Sequence, residues 1–579
     1  MVNSVDFLLP GASSTIKAKV FHTHEGVNMN RKLVSILLSL SLVLALLSAC
    51  GDSANTSKTA GSGEEPKQAT NEKGEVDYAF GSYEEPVTLH TVRAEYASAQ
   101  FPNGDNMTKN IWTRAYKERF NIDVVTDWVT DEYDTKLNLA ISSKKLPDVF
   151  HVNPTQLQQL IKADMIMDLT EVFDKYASDR VKSYMEADRS SYESGMKDGK
   201  LYGIPQMHWG IIDQPDYIWI RNDWKEELGL PDPTTTEDIK NIALKFKEAY
   251  GGFGIAADQT LDYLNLLAIG WGAHPDMWIP GEDGKLVYGT VQPEMKAALA
   301  DWAEWYKLGI IDPEFAIKDF SAMNAGVVSG KSGIQPYYQW WGYNPGVDVV
   351  TNLGKDAIFY PYNIPTVDGK PATHSIFFAN GVYTVVNKNC KNPEAAIKLL
   401  NFYASMLDEG SQKEDPETLS AFLDNDIAHV TGAFKIINPE TDYTQFEHVS
   451  EALKTNDTSK FTTSGMWQKY NNSVEFKKNG TPAATGDFLQ QGSPKPAYGL
   501  AKSVLDNEQY IKTALWGAPP EVLVKYGSTL DDILTEGFTK IIMGAESIDY
   551  FDKVVENWRT AGGNDVTEAV NEMYGQPAN

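Results

Sequence analysis

The side chains best suited to holding a ligand in this sequence are aromatic rings with polar groups placed among them. Tryptophans stand at Trp209, Trp271, Trp278 and Trp516, and the run Tyr337-Tyr338-Gln339-Trp340-Trp341 gathers four rings in one short segment. A sugar has apolar C–H faces and polar edges. Flat rings cover the faces, while carboxylates, amides and guanidinium groups take the hydroxyls. Polar candidates for that second task are Asp105, Asn106, Asp148, Asn153 and Arg221, each at an expected strand end or in the loop beyond it. The same residue types have plainer uses. Trp and Tyr also fill cores, and Arg221 could equally pair with Asp223. The segment from Pro336 to Asn344 reads as a loop rather than a periodic core element.

Catalytic signatures fail by comparison. Gly330-Lys331-Ser332 has Ala325 where a phosphate loop needs its first glycine. Neither His-Glu-x-x-His nor Gly-x-Ser-x-Gly occurs. Carboxylates are abundant, but nothing singles out two of them as a glycosidase pair. The expectation is a protein that binds and does no chemistry, with a carbohydrate-active surface enzyme as the alternative.

The elements that must position these residues alternate between strand and helix. Glu85–Val92 and Ile122–Val125 read as strands and Leu146–Val152 as a turn leading into a third, with helices over Met107–Phe120 and Tyr133–Ser143 between them. That is the order of a parallel α/β unit, whose ligands sit beyond the carboxyl ends of the strands. Further on, Tyr217–Arg221 and Gly381–Val386 read as strands. Thr236–Tyr250 reads as a helix with a capping-box start, and Gly281–Lys285 as a hairpin turn. Helices follow over Glu294–Leu308, Pro393–Tyr403, Thr529–Met543 and Ser547–Thr560. Two clusters of strands imply two α/β lobes between which the chain crosses more than once.

Composition agrees with a large, ligand-binding chain. The sequence has 579 residues, 14 Trp, 28 Tyr and a net charge of −28. So acidic a chain lacks the basic footprint that nucleic acid requires. Of the two cysteines, Cys50 and Cys390, the second reads as a lone structural thiol. Arg31-Lys32, the apolar run Leu33–Leu47 and Leu47-Ser48-Ala49-Cys50 form a secretory signal that resembles a bacterial lipobox. Cys50 is then the lipid-bearing first residue, followed by a polar tether. Met29 stands where such a signal begins, which makes residues 1–28 an N-terminal extension.

Several segments along the chain carry a family likeness. They include Lys145-Leu146-Pro147-Asp148-Val149, Asp198-Gly199-Lys200-Leu201-Tyr202-Gly203-Ile204-Pro205 and Ile220-Arg221-Asn222-Asp223-Trp224. Leu308-Gly309-Ile310-Ile311-Asp312-Pro313-Glu314 and Phe538-Thr539-Lys540-Ile541-Ile542-Met543-Gly544 continue the series. In this order the chain resembles the family 1 extracellular solute-binding lipoproteins of carbohydrate ABC importers. The resemblance implies a type II periplasmic-binding-protein-like fold: two α/β lobes, a hinge and a ligand cleft between them. It also implies a monomer anchored on the outer face of the cell membrane. Such a protein would close around an oligosaccharide and offer it to permease subunits, or to a sensor receptor instead. The expected division is a signal at 29–49, a lipidated tether at 50–84 and a binding domain at 85–579. Within it, one lobe covers about 85–210 and 375–480, the other about 211–374 and 481–579. Many relatives carry an acidic calcium loop after the helix that here ends at Tyr250. Gly251-Gly252-Phe253-Gly254 stands in its place, so neither a metal nor a cofactor is expected there.

Overall fold

Tyr217–Arg221 is buried along its whole length, and its side chains alternate between two different cores. Ile218 and Ile220 point to one side, Tyr217 and Trp219 to the other, as the two-residue strand period demands. A strand with no polar face must be covered on both sides. In the computed structural model, which describes residue 68, residues 76–96, residue 101 and residues 104–208, 210–407 and 431–575, this strand lies inside a four-stranded sheet. The order is Phe359–Asn363, Tyr217–Arg221, Ser332–Tyr337, Phe253–Ile255. The first two pairings are antiparallel and the last parallel.

A separate lobe is built on Val149–Val152, Tyr383–Val386 and Ile204–Pro205, paired antiparallel about the middle strand. Val87–Ala94 runs parallel to Ile122–Thr130 beside it, tied on by the Asp148 N–H to the His90 carbonyl at 3.1 Å. The expected parallel unit is therefore present in its first two strands only. The third turns to an antiparallel partner from far along the chain.

The two lobes have separate cores. Side chains from 83–207 and 383–436 fill the first, and those from 212–372 and 446–570 fill the second. This corrects the expected division. The first lobe ends at about Ile436 rather than 480, because the helices Thr441–Thr455 and Ser464–Asn479 pack on the second lobe through Phe446 and Phe476.

The expected tether to residue 84 is also corrected, because the chain docks from Val76 onward. Tyr83 is buried and donates to Glu394 at 2.8 Å. Tyr78 meets Tyr176 edge-on, and Lys398 and Asn401 donate to backbone carbonyls of 77–81. The signal, Cys50 and, apart from Gln68, the tether before Val76 lie outside the described residues.

Three segments cross between the lobes side by side. The Gln206 N–H bonds the Val382 carbonyl at 2.9 Å, and the Ile437 N–H bonds the Gln206 carbonyl at 2.8 Å. Gln214 accepts from the Phe377 N–H at 2.7 Å. Gly210 sits where the first and third straps touch, at φ 112° and ψ 169°. A Cβ there would lie 2.0 Å from the Pro439 carbonyl oxygen, so only glycine fits.

Candidate functional site

The aromatic run from Tyr337 divides by direction. Tyr337 ends its strand facing inward, fully buried and stacked on Tyr263 with centroids 4.9 Å apart. Tyr338 faces the other way, and a 3-10 turn over Gln339–Gly342 turns Trp340 out and Trp341 in. Tyr338 and Trp340 are half-buried and nearly parallel, at 6.2 Å and 13°. Trp341 is a core residue, stacked on Trp219 at 5.0 Å with its indole N–H on Gln335.

Carboxylates stand near Tyr338. Asp262 and Asp276 reach solvent, yet burial raises both carboxyls, that of Asp262 to about 6, with Asp258 the second cause. Asp531 is likewise exposed and is pushed up to about 6 by burial and by Asp276. A carboxylate on a convex surface keeps its ordinary value. Asp276 accepts from Tyr288 at 2.8 Å, and Asp216, raised by burial, acts with Asp262 and Asp276 on the Tyr338 hydroxyl.

On the first lobe, polar groups gather around Tyr383. Asn380 is 2% exposed and neither of its amide atoms has a well-formed hydrogen bond. The neighbouring Tyr383 hydroxyl bonds Ser194 at 2.7 Å. The loop Trp516-Gly517-Ala518 of the second lobe reaches across to them. A Cβ on Gly517 would lie 3.9 Å from that of Ser194. Trp516 is half-buried against Phe378, its indole N–H buried without a partner. An exposed pair, Lys162 and Glu521 at 4.0 Å, also spans the rim, where such pairs contribute little.

Of the residues singled out in the sequence, Tyr338 and Trp340 stand side by side and half-buried, and Trp516 is half-buried on the loop that reaches Ser194. The others hold the scaffold. Trp271 is buried against Trp302 and Trp305 and donates to Asp301; Trp278 is buried against Tyr288. Arg221 grips Asp223 at 2.7 and 2.9 Å and lies over the Trp224 ring, the plainer of its two readings. Asp105 holds Arg114 with both oxygens, and the Asn106 side chain accepts from Thr108 and Lys109 in a turn. Asp148 accepts from the His90 N–H, and Asn153 caps the helix Pro154–Lys162. Trp209 lies outside the described residues. Sequence reasoning missed Asp262, Asp276 and Asn380. Asn380 carried one usable signal, an Asn-Gly pair opening a buried strand.

Among the described residues no group of three His, Cys, Asp or Glu side chains could hold a metal ion, and no helix is long and apolar enough to cross a membrane. Cys390 is free and buried, and burial pushes its thiol up to about 12.

The chain is similar to lipoprotein LipO of Bacillus subtilis, with 22% identity over 78% of this chain and 86% of that one. It is 26% identical to the fructooligosaccharide ABC transporter substrate-binding protein FusA of Streptococcus pneumoniae, over 55% of this chain and 60% of FusA. In three dimensions it matches a solute-binding protein of Bifidobacterium longum infantis described as binding HMO and associated with an ABC transporter. The TM-score is 0.55 at 12% identity, over 84% of this chain and 98% of that one. The fold is thus the type II two-lobed one. The family model described as bacterial extracellular solute-binding protein matches residues 98–406, more than half the sequence, and the chain belongs to that family.

Proposed function

We propose that the protein captures an oligosaccharide between its lobes and delivers it, closed, to an ABC importer. The observation that carries this reading is the stacked pair Tyr338 and Trp340, with the solvent-reaching carboxylates Asp262 and Asp276 acting on Tyr338. Rings cover sugar faces, and the polar groups await hydroxyls. FusA, a relative named for fructooligosaccharide, supports the ligand class. Cys50, as the lipid attachment point, would keep the cleft at the membrane beside the permease; the lipoprotein relative LipO supports that placement. Binding favours the closed form and does no chemistry.

Thermal-shift and calorimetric titration over a panel of plant and microbial oligosaccharides tests the reading. A ligand at a hundredfold excess over its Kd adds about 2.7 kcal/mol to stability. Stabilisation by a peptide or amino acid, with none by any glycan, overturns it. Chromatography of labelled oligosaccharides after incubation separates capture from catalysis: shortened products would make the protein an enzyme.

A further inference from the structure

The first and second straps run antiparallel, and three hydrogen bonds join them in step. The Gln206 N–H meets the Val382 carbonyl, the Phe377 N–H meets the Gln214 side chain, and the Asp216 N–H meets Nδ1 of His374 at 3.2 Å. The third bond lies at the root, where both straps enter the second lobe. Tyr217 begins that lobe's central strand, and Ala372 belongs to its core. His374–Ile376 also pairs in parallel with Tyr510–Lys512, and the Ile376 carbonyl accepts from the Thr513 N–H, three residues before Trp516. One side chain thus ties the first strap to the strand pair that leads into the Trp516 loop.

Of the three bonds, this is the one whose acceptor can take up a proton. A neutral imidazole accepts at Nδ1 only while its own proton sits on Nε2. A second proton puts an N–H at Nδ1, facing the Asp216 N–H, and two donors repel. The surroundings offer the imidazolium little relief. His374, Ser375 and Asp216 are all buried. His274, whose Nδ1 lies 3.0 Å from Oγ of Ser375, acts on His374 as a like charge. The other titratable groups on the elements packed around it are Asp213 and Asp216 on the strap and Tyr510 and Lys512 on the paired strand, with Glu294 acting on His274. Burial raises both strap carboxyls well above the ordinary value, so each is losing its charge as the imidazole gains one. Burial, and then His274, hold the His374 imidazole down to about 4.

We propose that His374 is an acid-sensitive link in the hinge: neutral, it binds the two straps together at their root, and protonated, it releases the first strap and frees the lobes to swing apart. A ribbon of two bonded straps bends as one body, whereas straps parted at one end bend separately, and a hinge is made of the few residues that absorb such a change. The unfolded chain takes up this proton at about 6.5, the folded chain only near 4. The folded form therefore binds fewer protons across that window. The stability that the neutral link contributes is full above about pH 6.5 and is lost as pH falls to 4. Asp262 works in the opposite sense, so replacing one or the other separates the two effects. The link concerns the hinge alone and holds whichever ligand the cleft takes.

Hydrogen exchange and small-angle X-ray scattering on the whole mature chain, without ligand, at pH 7 and pH 4, test this. Corrected for the chemical exchange rate at each pH, protection of the Asp216 amide is expected to fall about tenfold or more at pH 4. The radius of gyration is expected to rise with it, while far-UV circular dichroism stays unchanged. His374→Asn keeps an acceptor near the place of Nδ1 and takes up no proton in this range, so both changes are expected to vanish. Their persistence in His374→Asn overturns the link. Loss of secondary structure over the same window, in variant and wild type alike, overturns it too. Should His374→Asn fail to fold, the wild-type chain decides alone: equal protection of the Asp216 amide at both pH values refutes the link. A constant radius alongside falling protection refutes the parting of the lobes.

Discussion

Replacing Gly210 by alanine tests whether the straps are packed as tightly as their geometry states. At φ 112° and ψ 169° the backbone occupies a region that is essentially glycine's own, costing an L-residue about 1–3 kcal/mol. The added Cβ also meets the Pro439 carbonyl oxygen at 2.0 Å, a backbone atom that cannot swing aside. Relief requires the first and third straps to part. That strains the Ile437–Gln206 bond at 2.8 Å, a net contribution of about 1 kcal/mol. The sum is a destabilisation of about 3 kcal/mol. Gly284 is the control. Its φ is 77° with nothing within 4 Å of an added Cβ, so Gly284→Ala carries only a left-handed penalty of about 1–2 kcal/mol. Urea denaturation with an unchanged m-value measures both. The same experiment on ligand-bound protein shows whether parting the straps also weakens closure. A Gly210→Ala loss no larger than that of Gly284→Ala would refute the close approach of the straps.

Other expectations concern the cleft and the core. Trp340→Ala and Tyr338→Ala are expected to weaken glycan binding about tenfold each by calorimetry with little change in melting temperature, because both rings are half-exposed. Trp341→Ala, 1% exposed, is expected to cost about 3–5 kcal/mol of stability instead. The Asp262 carboxyl titrates near 6 when folded and at its ordinary lower value when unfolded. Its native form therefore holds a proton that the unfolded chain releases. The associated stability is present below about pH 4 and lost as pH rises through 6. Asp262→Asn should accordingly raise the melting temperature at pH 7.5 and leave it nearly unchanged at pH 4. The Cys390 thiol, buried and raised to about 12, should resist a thiol reagent in the native protein and react fully in denaturant. Labelling of the folded protein at the denatured rate would contradict its placement.

Local chemistry made some of these features legible and hid others. The helix Thr236–Tyr250 appeared with both expected ends, because Thr235 and Asp238 cap it and Gly251 stops it within the sequence itself. Tyr217–Arg221 was equally plain from its unbroken apolar run. The Tyr337 run was not. It reads as one loop, whereas a strand that ends at Tyr337 and a tight turn send Tyr337 and Trp341 to the core and turn Tyr338 and Trp340 outward. Nothing near Trp271 or Trp278 distinguishes them from Trp340. Their burial comes from Trp302, Trp305 and Tyr288, partners brought by tertiary packing. The lobe boundary at Ile436 was hidden for the same reason, since amphipathic helices do not state which core they cover. Asp276 is set beside Tyr288 and Asp531 by tertiary packing, and no spacing along the chain records that.

The docking of residues 76–83 sets the path of mechanical load. A pull on the N-terminal segment enters through Tyr78, Tyr83 and the carbonyls held by Lys398 and Asn401. All of these belong to the lobe that carries Tyr176 and the helix Pro393–Leu407. The force line ends there and never passes along the three straps. The lobe carrying Tyr338, Trp340 and Trp516 is therefore free to pivot, while drag or thermal jostling at the N-terminus leaves its angle unbiased. Load on the N-terminal segment and the angle between the lobes are thus carried by different contacts.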